Sequence, residues 1–381
     1  MRVLVLGAGM MGSAIVYDLA RSSRVERVTV GDMDGERAKQ VVKQFGGSKA
    51  SAVIVDVRDY DRIVDVMRGC DVVISAVTLY HNDALTKAAI EAGTNFCDLG
   101  GSDDIVAKQK KLDAEAKRIG VTIVPNCGLA PGMANVIAIH GVKQFEHVSD
   151  LHIRVGGLPQ HPKPPLNYQL VFSVDGLIKE YTAMARVLRH GKIEYVDPLT
   201  EVEPIEFPKP FESLEAFNTG GGASLLPELL QGKVDSLDYK TIRYRGHAEK
   251  MKTLLDIGFA STEPISLGEH IATPRELFGE LLKKRLPAND LDVVLMRVIV
   301  RGVKEGRERT VTFSMIDRFD ETSSLTAMMR TTAFPTSIIA QMIAGGEITL
   351  KGVYTPEECV PTEAFMEELR HRNILIEENW G

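Results

Sequence analysis

A glycine-rich turn near the start of the chain constrains its fold more than any other feature. An apolar strand is predicted over Arg2–Leu6, and the turn Gly7-Ala8-Gly9-Met10-Met11-Gly12 follows it and opens a helix. The first glycine permits a tight turn, the second lets a pyrophosphate approach the backbone, and the third lets the helix pack closely on the strand. The helix start also presents unpaired N–H groups to the phosphates. The sequence therefore predicts a dinucleotide-binding βαβ unit, and the alternative is a turn that serves helix packing alone.

An acidic residue closes the second predicted strand, twenty positions after Gly12. The Asp32 carboxylate can accept hydrogen bonds from the adenosine ribose hydroxyls, and it would repel the 2′-phosphate of NADP. Arg37 stands nearby, but no Arg or Lys directly follows Asp32, so NAD is the cofactor that we expect. The alternative role is an N-cap of the following helix, and for Asp34 that alternative is favoured.

Two further strand ends are expected to border the same cofactor. Asp56 ends the third predicted strand, where it would lie near the adenine. Ser75, Ala76 and Val77 end the fourth strand, which in this fold runs toward the nicotinamide ribose. Small residues at that strand end would let the backbone approach the cofactor.

The first third of the chain alternates short apolar runs with helical patterns. Strands are predicted at Arg2–Leu6, Arg27–Val30, Ala52–Val55, Asp71–Ser75, Asn95–Asp98 and Val121–Val124, and helices at Gly12–Arg21, Gly35–Phe45, Asp59–Met67, Asp83–Ala92 and Asp104–Ile119. Continuous apolar strands that alternate with helices indicate a parallel sheet covered on both faces. We therefore predict an α/β fold with a Rossmann doubly wound parallel sheet.

The pattern changes after Pro125, and strands separated by prolines and glycines extend to about residue 318. Strands are predicted at Asp150–Val155, Glu194–Val196, Lys240–Tyr244, Val293–Val300 and Thr310–Ile316, and helices at Ser173–Met184 and His247–Gly258. These elements predict an α+β second domain on a mainly antiparallel sheet. The apolar helix Ser324–Ala344 is then expected to pack back on the first domain, and Pro335 should kink or divide it.

Composition excludes several classes of function. The 381 residues exceed a usual single core, so two domains are expected. A net charge of −7 argues against nucleic-acid binding, and no apolar run reaches the roughly 18 residues that span a membrane. There is no signal-peptide pattern, and the four cysteines, at positions 70, 97, 127 and 359, show no metal or disulfide spacing. We expect a cytoplasmic protein with reduced thiols and no metal site.

Five runs of the sequence carry a family resemblance that extends over nearly the whole chain. They are Cys97–Gly101, Gly128–Met133, Val155–Pro159, Thr241–Lys250 and Gly352–Glu357. In these runs the chain resembles the saccharopine dehydrogenase-like family, and most closely its L-lysine 6-dehydrogenase branch. Relatives that act on saccharopine usually carry Asp-Pro-Gly-hydrophobic-Asp-His where this chain has Ala130-Pro131-Gly132-Met133-Ala134-Asn135. That departure favours a smaller amino substrate.

The resemblance implies an activity and a domain plan. The activity is NAD-dependent oxidative deamination of the ε-amino group of L-lysine, which releases ammonia and gives the semialdehyde that cyclises to piperideine-6-carboxylate. The alternative within the family is a C–N oxidoreductase that acts on saccharopine or a carboxylated polyamine. A non-catalytic NAD sensor and a purely structural oligomer-forming domain are the alternatives from other classes.

The domain plan that the resemblance implies is interrupted. Residues 1–130 and 320–381 would form the NAD-binding Rossmann domain, and residues 131–319 the domain for substrate binding and dimerisation. The expected partners are a small amino-acid substrate and further copies of this chain in a homodimer or larger homo-oligomer, with neither nucleic acid nor membrane.

Deamination requires a group that orients the amine or takes its proton. Asp98 ends the fifth strand on the edge where open α/β sheets bind ligands, and the alternative role is to cap the Gly100-Gly101 turn. His247 begins a helix and suits acid–base work near neutral pH, and the alternative is a capping or core histidine. His81 is a lesser candidate.

The substrate carboxylate needs an anchor of its own. Arg243 and Arg245 flank Tyr244 on a predicted strand, so alternation would place both guanidinium groups on one face. Either can grip a carboxylate with two parallel hydrogen bonds, and the alternative is a structural ion pair. Weaker candidates for the same cleft are Lys240, Tyr239, Tyr168, His161 and Lys163. The glycine loop at 218–222 is expected to be flexible and to cover the substrate, or else to be a surface turn.

Overall fold

The structure is a computed structural model that describes residues 1–268, 270–288 and 290–381. The chain divides into two compact units. Unit 1 comprises residues 1–140, 224–226 and 329–375, and unit 2 comprises residues 141–223, 227–328 and 376–381. Among the described residues, no helix is both long enough and apolar enough to cross a membrane.

The helices and strands are numbered along the chain. The elements up to residue 142 are β1 Arg2–Leu6, α1 Met10–Arg21, β2 Arg27–Asp32, α2 Gly35–Phe45, β3 Ala50–Ile54, α3 Tyr60–Met67, β4 Val72–Ser75, α4 Asn82–Ala92, β5 Asn95–Asp98, α5 Asp103–Lys110, α6 Asp113–Ile119, β6 Thr122–Val124 and α7 Met133–Val142. A short 3-10 helix, Leu79–His81, precedes α4.

The remaining elements follow in the same order. They are β7 His147–Pro159, α8 Val174–Glu180, β8 Ala185–Arg189, β9 Lys192–Val196, β10 Glu203–Ile205, β11 Leu214–Asn218, α9 Leu226–Leu230, β12 Val234–Tyr244, α10 His247–Asp256, β13 Ile265–Leu267, β14 His270–Ala272, α11 Pro274–Arg285, β15 Asp292–Lys304, β16 Arg307–Arg318, α12 Ala327–Gly345, β17 Gly352–Val353, α13 Pro356–Cys359, α14 Thr362–His371 and β18 Glu377–Trp380.

Unit 1 is built on a parallel sheet of seven strands in the order β17-β6-β5-β4-β1-β2-β3. Every paired strand in this sheet runs parallel to its neighbour. The central strands are mainly apolar and buried, and Val3 to Leu6 of β1 are at most 1% exposed. Burial on both faces is what a doubly wound sheet requires. The predicted Rossmann fold is therefore confirmed.

Unit 2 is built on a mixed sheet of nine strands. Seven strands follow the order β10-β11-β12-β7-β15-β16-β18, while β8 pairs with β12 and β9. Only the pairing of β12 with β7 is parallel among the described strands of this sheet, and the other pairs are antiparallel. The prediction of a mainly antiparallel sheet in an α+β domain is confirmed.

The region predicted as one helix over Asp104–Ile119 forms two helices, α5 and α6. Asp113 begins the second helix, and its carboxylate accepts a hydrogen bond from the backbone nitrogen of Val353 at 2.9 Å. This contact ties the start of α6 to strand β17, which lies far away in sequence. The helical pattern alone carries no sign of that tie, so the single helix was the wrong prediction.

Helix α12 runs through Pro335 without dividing, contrary to one of the two outcomes that the sequence predicts. The hydroxyl of Thr336 donates to the carbonyl oxygens of Cys127 at 2.8 Å and Thr332 at 3.0 Å. Phe334 stacks on Tyr17 of α1 with ring centroids 6.2 Å apart. From Met329 onward the helix belongs to unit 1, as predicted for this apolar segment.

The boundaries between the units differ in detail from the predicted domain plan. Residues 131–140 lie in unit 1 because helix α7 packs there, although the sequence assigned them to the second domain. Residues 320–328 and 376–381 lie in unit 2 instead of the first domain. The last strand, β18, pairs with β16 through Val311↔Trp380 and three further residue pairs, which explains the second difference.

Candidate functional site

The glycine-rich turn after β1 is held by close backbone packing. Gly7 has a φ of +100°, and a Cβ there would stand 2.7 Å from the carbonyl oxygen of Ala76. A Cβ on Gly12 would stand 1.9 Å from the carbonyl oxygen of Gly7. Neither position has room for a side chain, so both glycines are required by the packing of the turn against α1 and the end of β4.

Gly9 differs from these two glycines because its open side faces free space. A Cβ built on it meets no atom within 4 Å, and Gly9 has no side chain to cap helix α1. The first N–H groups of an α-helix lack partners within the helix, so the helix start beside the exposed Met10 and the half-buried Met11 can receive a phosphate. These residues fit the pyrophosphate of a dinucleotide.

Asp32 ends β2 and its carboxylate closes the same turn. Oδ2 accepts a hydrogen bond from the backbone nitrogen of Ala8 at 2.7 Å, and Oδ1 accepts one from that of Asp34 at 2.9 Å. Asp34 caps α2 by accepting from the backbone nitrogens of Glu36 and Arg37, as predicted for it. The Arg37 side chain is exposed and lies 3.9 Å from the Asp34 carboxylate. An acidic group is therefore fixed at the sheet edge, beside the turn.

The other predicted cofactor residues divide into two groups. Ala76 and Val77 follow β4 and contact the turn, since Val77 Cγ1 lies 3.1 Å from a Cβ built on Gly7. Asp56 lies two residues beyond the end of β3, so the prediction that it ends the strand is wrong. Its carboxylate accepts a hydrogen bond from the backbone nitrogen of Arg58 and forms an ion pair with that side chain at 2.6 Å. These hydrogen bonds lower the pKa of Asp56 to about 2.

Asp98 ends β5 as predicted, but its carboxylate is buried and fully engaged. Oδ1 accepts hydrogen bonds from the backbone nitrogens of Gly100 at 2.7 Å and Asn126 at 3.3 Å, while Oδ2 accepts one from Gln109 Nε2 at 2.7 Å. Burial raises the pKa of Asp98 to about 6. These contacts match the turn-capping alternative, and His81 lies at the start of α4 without a side-chain cap bond.

Unit 2 contains a buried polar cluster around Arg243 of strand β12. The guanidinium is held by Nε, which donates to the Tyr181 hydroxyl at 2.8 Å, and by Nη1, which donates to the carbonyl oxygen of Ile242 at 2.9 Å. The Tyr168 ring lies beside it, with the guanidinium carbon 4.8 Å from the ring centroid. Nη2 has the Glu180 carboxylate as its ion-pair partner at 3.6 Å. The cluster thus holds Arg243 rigidly and leaves its Nη2 without a short hydrogen bond among the described residues.

His247 completes this cluster, and its contacts define its tautomer. Nδ1 lies 3.0 Å from the carbonyl oxygen of Leu166, which can only accept, so Nδ1 carries the proton. Nε2 therefore accepts from the Tyr181 hydroxyl at 3.0 Å, which itself accepts from Arg243. Burial, followed by the charge of Arg243, lowers the pKa of His247 to about 3. The histidine is thus neutral near pH 7, and it orients Tyr181.

The structure places the predicted substrate residue Tyr168 beside Arg243 but separates Arg245 and Lys240 from it. Arg245 lies in the turn after β12 and is exposed, because the strand ends at Tyr244 and its alternation ends there too. Lys240 points to the opposite face of β12, where it pairs with Glu203 at 2.7 Å. The prediction that both arginines share one face is therefore wrong.

The remaining weaker candidates occupy three different environments. Tyr239 is buried against the glycine loop, Lys163 is exposed and pairs with Asp290 at 2.6 Å, and His161 is exposed. Among these three, Tyr239 alone lies near the Arg243 cluster. Burial and then the negative charge of Glu180 raise the pKa of its phenol, while the positive charge of Arg243 lowers it.

The glycine loop at 218–222 is packed rather than flexible. Asn218 ends β11 with no exposed surface, and Thr219 is 2% exposed. A Cβ on Gly220 would stand 2.5 Å from the Cβ of Ala183, and one on Gly222 would stand 2.2 Å from Cζ of Tyr239. Gly220 and Gly222 thus serve close packing, and the covering role of the loop stays a prediction.

Sequence reasoning missed Glu180 and Tyr181, which both contact Arg243. They follow each other at the end of helix α8, in no motif that marks a binding site. Tyr181 is 1% exposed, and its hydroxyl joins Arg243 to His247. The only sequence signal was an acid followed by a tyrosine at the end of a short helix, which does not by itself indicate a binding site. Among the described residues, no group of His, Cys, Asp and Glu has the arrangement of a metal site.

Family models match nearly the whole chain. The saccharopine dehydrogenase NADP binding domain matches residues 3–124, and the saccharopine dehydrogenase C-terminal domain matches residues 128–375. The chain belongs to the saccharopine dehydrogenase family. The resemblance seen in the sequence is thereby confirmed at the level of the family, and the L-lysine 6-dehydrogenase branch stays a prediction.

Curated members of the saccharopine dehydrogenase family are distant in sequence. Saccharopine dehydrogenase (NADP(+), L-glutamate-forming) of Saccharomyces cerevisiae is 26% identical over 296 residues, which cover 75% of this chain and 64% of the relative. The mitochondrial alpha-aminoadipic semialdehyde synthase of Mus musculus is 20% identical over 424 residues, which cover 93% of this chain and 45% of the relative. The chain spans less than two thirds of the length of either relative.

Two solved structures share the fold of the whole chain. Apo saccharopine dehydrogenase (L-Glu forming) from Saccharomyces cerevisiae has a TM-score of 0.82 at 20% identity and covers 100% of this chain and 99% of its own. Homospermidine synthase from Legionella pneumophila, solved in complex with NAD, has a TM-score of 0.68 at 13% identity. The match covers 100% of this chain and 91% of the synthase chain. At these identities the comparison shows that the chain has the saccharopine dehydrogenase fold.

Proposed function

We propose that the chain catalyses the NAD-dependent oxidative deamination of the ε-amino group of L-lysine, releasing ammonia and the semialdehyde that cyclises to piperideine-6-carboxylate. The observation that carries this proposal is the buried Arg243, whose Nη2 lacks a short hydrogen bond among the described residues. A planar guanidinium that is fixed by short hydrogen bonds on two sides and has only a 3.6 Å carboxylate contact on the third is suited to bind one more carboxylate. Lysine carries one carboxylate, at the end far from the reacting carbon.

The cations of unit 2 favour lysine over saccharopine, which has three carboxylates. Arg154 and Lys240 are also buried, but they already pair with Asp238 and Glu203 at 2.6–2.7 Å. Among the buried cations of the described part of this unit, Arg243 is thus the one without a short carboxylate contact. One available guanidinium fits a substrate with one carboxylate.

The neighbours of Arg243 have a positioning role in this proposal. His247 holds the Tyr181 hydroxyl in the orientation that accepts from Arg243 Nε, so the guanidinium plane is fixed before substrate binds. Burial raises the pKa of the Tyr181 phenol well above its ordinary value, so the hydroxyl keeps the proton that it donates to His247. Such preorganisation reduces the entropy lost when a carboxylate binds.

The cofactor half of the proposal depends on unit 1. Gly9 and the start of α1 would hold the pyrophosphate, and Asp32 would accept hydrogen bonds from the ribose hydroxyls. A bound NAD would supply the hydride acceptor for the carbon that bears the amine, and water would then hydrolyse the resulting imine to ammonia and the semialdehyde. A carboxylate at the position of Asp32 repels the 2′-phosphate of NADP, which is why we propose NAD.

Saccharopine is the second candidate substrate, and the comparisons favour it. Both family models carry the name of saccharopine dehydrogenase, and the yeast relative is described as NADP-dependent and L-glutamate-forming. In this reading the chain would oxidise a secondary amine and release glutamate instead of ammonia.

A steady-state assay distinguishes the two candidates. The purified chain is mixed with NAD and either lysine or saccharopine, and NADH is followed by absorbance while ammonia and glutamate are assayed in the product. We expect lysine to give NADH and ammonia in equal amounts. Turnover of saccharopine with no turnover of lysine would contradict the proposal, and Arg243→Lys serves as the variant that should raise KM for lysine at least tenfold.

A further inference from the structure

Glu180 lies beside Arg243 in the buried cluster and has one engaged and one open carboxylate oxygen. Oε1 accepts a hydrogen bond from the Thr241 hydroxyl at 2.6 Å. Thr241 in turn lies 2.7 Å from the Thr219 hydroxyl, which must donate because the Thr241 proton is already used. Oε2 faces Arg243 Nη2 at 3.6 Å. The two threonines therefore fix Glu180 and leave Oε2 as its open acceptor.

The separation between Glu180 and Arg243 is longer than that of other buried pairs in the same unit. Arg154 contacts Glu203 at 2.6 Å and Asp238 at 2.7 Å, which are ordinary distances for charged hydrogen bonds. A distance of 3.6 Å is too long for such a bond. A guanidinium and a carboxylate that served only each other would close this gap, because leaving either one without its hydrogen bonds in a buried site is costly.

We infer that Arg243 and Glu180 together bind the free α-amino-acid head of the substrate, with its carboxylate on Arg243 Nη2 and its α-ammonium on Glu180 Oε2. This inference rests on the proposed function and deepens it, because it names the part of the substrate that the enzyme requires. The side chain of Glu180 is 17% exposed and that of Arg243 is 3% exposed, so Glu180 is the member of the pair that reaches toward solvent.

The pair selects its ligand by charge on both groups. A diamine without the carboxylate would leave the Arg243 guanidinium buried and unmatched, and a monocarboxylate without the α-ammonium would leave Glu180 unmatched. An unmatched charged group in a buried site lowers affinity strongly, so the enzyme is restricted to free α-amino acids. The Tyr168 and Tyr181 rings are buried, and their centroids lie 4.8 and 5.8 Å from the Arg243 guanidinium carbon.

The test compares lysine with 6-aminohexanoate, which has the same chain length and carboxylate but no α-ammonium. The Glu180→Gln variant keeps an acceptor for Thr241 and loses the negative charge. We expect it to lower kcat/KM for lysine about 10- to 100-fold, the range for one charged hydrogen bond, mainly through KM. The affinity for 6-aminohexanoate, measured as a substrate or as a competitive inhibitor, should not fall in this variant, because the ligand has no α-ammonium that could lose its partner and the variant removes the unmatched charge.

The matched control is Glu203→Gln, which removes an acid from the structural network of Arg154 and Lys240 on the other face of β12. It should affect both ligands equally, through stability alone. Thermal unfolding of Glu180→Gln verifies that the variant is folded. An equal loss for lysine and 6-aminohexanoate in Glu180→Gln would show a structural role and overturn the inference.

The failure of the proposed function gives a different result. If the wild-type chain oxidises neither ligand, titration calorimetry of lysine and 6-aminohexanoate with the wild type and Glu180→Gln still tests the pair. Tighter binding of lysine that disappears in Glu180→Gln supports the inference without turnover. Equal binding of the two ligands to the wild type contradicts it.

Discussion

At the scale of single residues, Glu357 is the buried acid with the clearest consequence for stability. It is 7% exposed, and neither carboxylate oxygen has a hydrogen-bond partner among the described residues. Burial raises its pKa to about 7 in the folded chain, from an ordinary value of 4.5. The folded state therefore holds this proton more tightly than the unfolded chain does. The resulting gain in the free energy of unfolding is complete below about pH 4.5 and is lost as the pH rises through about 7.

The Glu357→Gln variant tests this consequence, because glutamine stays neutral at every pH. Urea unfolding at pH 5 and pH 8 should show that the wild type loses about 1–3 kcal/mol more stability than the variant over this interval. Glu26→Gln, which changes an exposed acid of the same unit, is the control and should follow the wild type. A parallel pH dependence of Glu357→Gln and the wild type would contradict the burial argument.

Asp32 carries the prediction about the cofactor. Replacement by serine removes the negative charge beside the ribose site and keeps one acceptor for the backbone nitrogens of Ala8 and Asp34. We expect Asp32→Ser to reduce the preference for NADH over NADPH at least tenfold, because the 2′-phosphate is no longer repelled. Calorimetric Kd values for both nucleotides check this, and an unchanged ratio would show that another residue determines the preference.

The sequence predicted Arg243, Tyr168 and His247 of the buried cluster but not Glu180 and Tyr181. Arg243 is visible in the sequence because it lies in a basic and polar motif, directly before Tyr244 and four residues before His247. Glu180 and Tyr181 come from helix α8, more than sixty residues earlier, and local patterns contain no information about that approach. Roles that depend on contacts distant in sequence, such as those of Asp98 and Lys240, were likewise open until the fold was known.

At the scale of elements, the glycine turn offers a matched pair of substitutions. Alanine at position 12 gains about 1 kcal/mol of helix propensity, but its Cβ would stand 1.9 Å from the carbonyl oxygen of Gly7. We expect Gly12→Ala to be destabilised by about 1–3 kcal/mol because the backbone must shift. Gly9→Ala meets no atom within 4 Å, so its stability should change by less than about 1 kcal/mol.

Gly9→Ala, the variant with the smaller expected effect on stability, should have the clear effect on cofactor binding. A methyl group at position 9 occupies the space through which the pyrophosphate approaches, so folded Gly9→Ala should bind NADH at least tenfold more weakly. Thermal unfolding and NADH calorimetry of both variants provide the two measurements. Wild-type affinity for NADH in Gly9→Ala would show that the phosphates do not approach the turn there.

The central strands of unit 1 were predictable because both faces of a parallel sheet are buried there, so these strands are nearly continuous apolar runs. β1 and β5 have the predicted bounds, β2, β4 and β6 differ by one or two residues at one end, and β3 differs at both ends. The break between α5 and α6 was not predicted, and at this break Asp113 accepts a hydrogen bond from Val353, which is distant in sequence. In unit 2, short strands such as β8 and β10 lack any clear period and were missed for that reason.

At the scale of the whole molecule, the chain leaves the Rossmann unit and returns to it. The family resemblance and the apolar helix α12 together predicted this interruption, and Met329–Leu375 belong to unit 1. The return of the last residues to unit 2 was not predicted, because β18 is four polar or exposed residues that pair with β16. The position of β18 depends on its pairing with β16, a strand that is distant in sequence, and a local sequence pattern gives no information about such a pairing.

A crystal structure of the chain with NADH and L-lysine tests the central proposal most directly. We predict that the lysine carboxylate accepts a hydrogen bond from Arg243 Nη2 and that the α-ammonium donates to Glu180 Oε2, with both distances near 2.8 Å as expected for charged hydrogen bonds. A lysine molecule whose carboxylate is bound elsewhere, with Arg243 and Glu180 closed on each other, would contradict it.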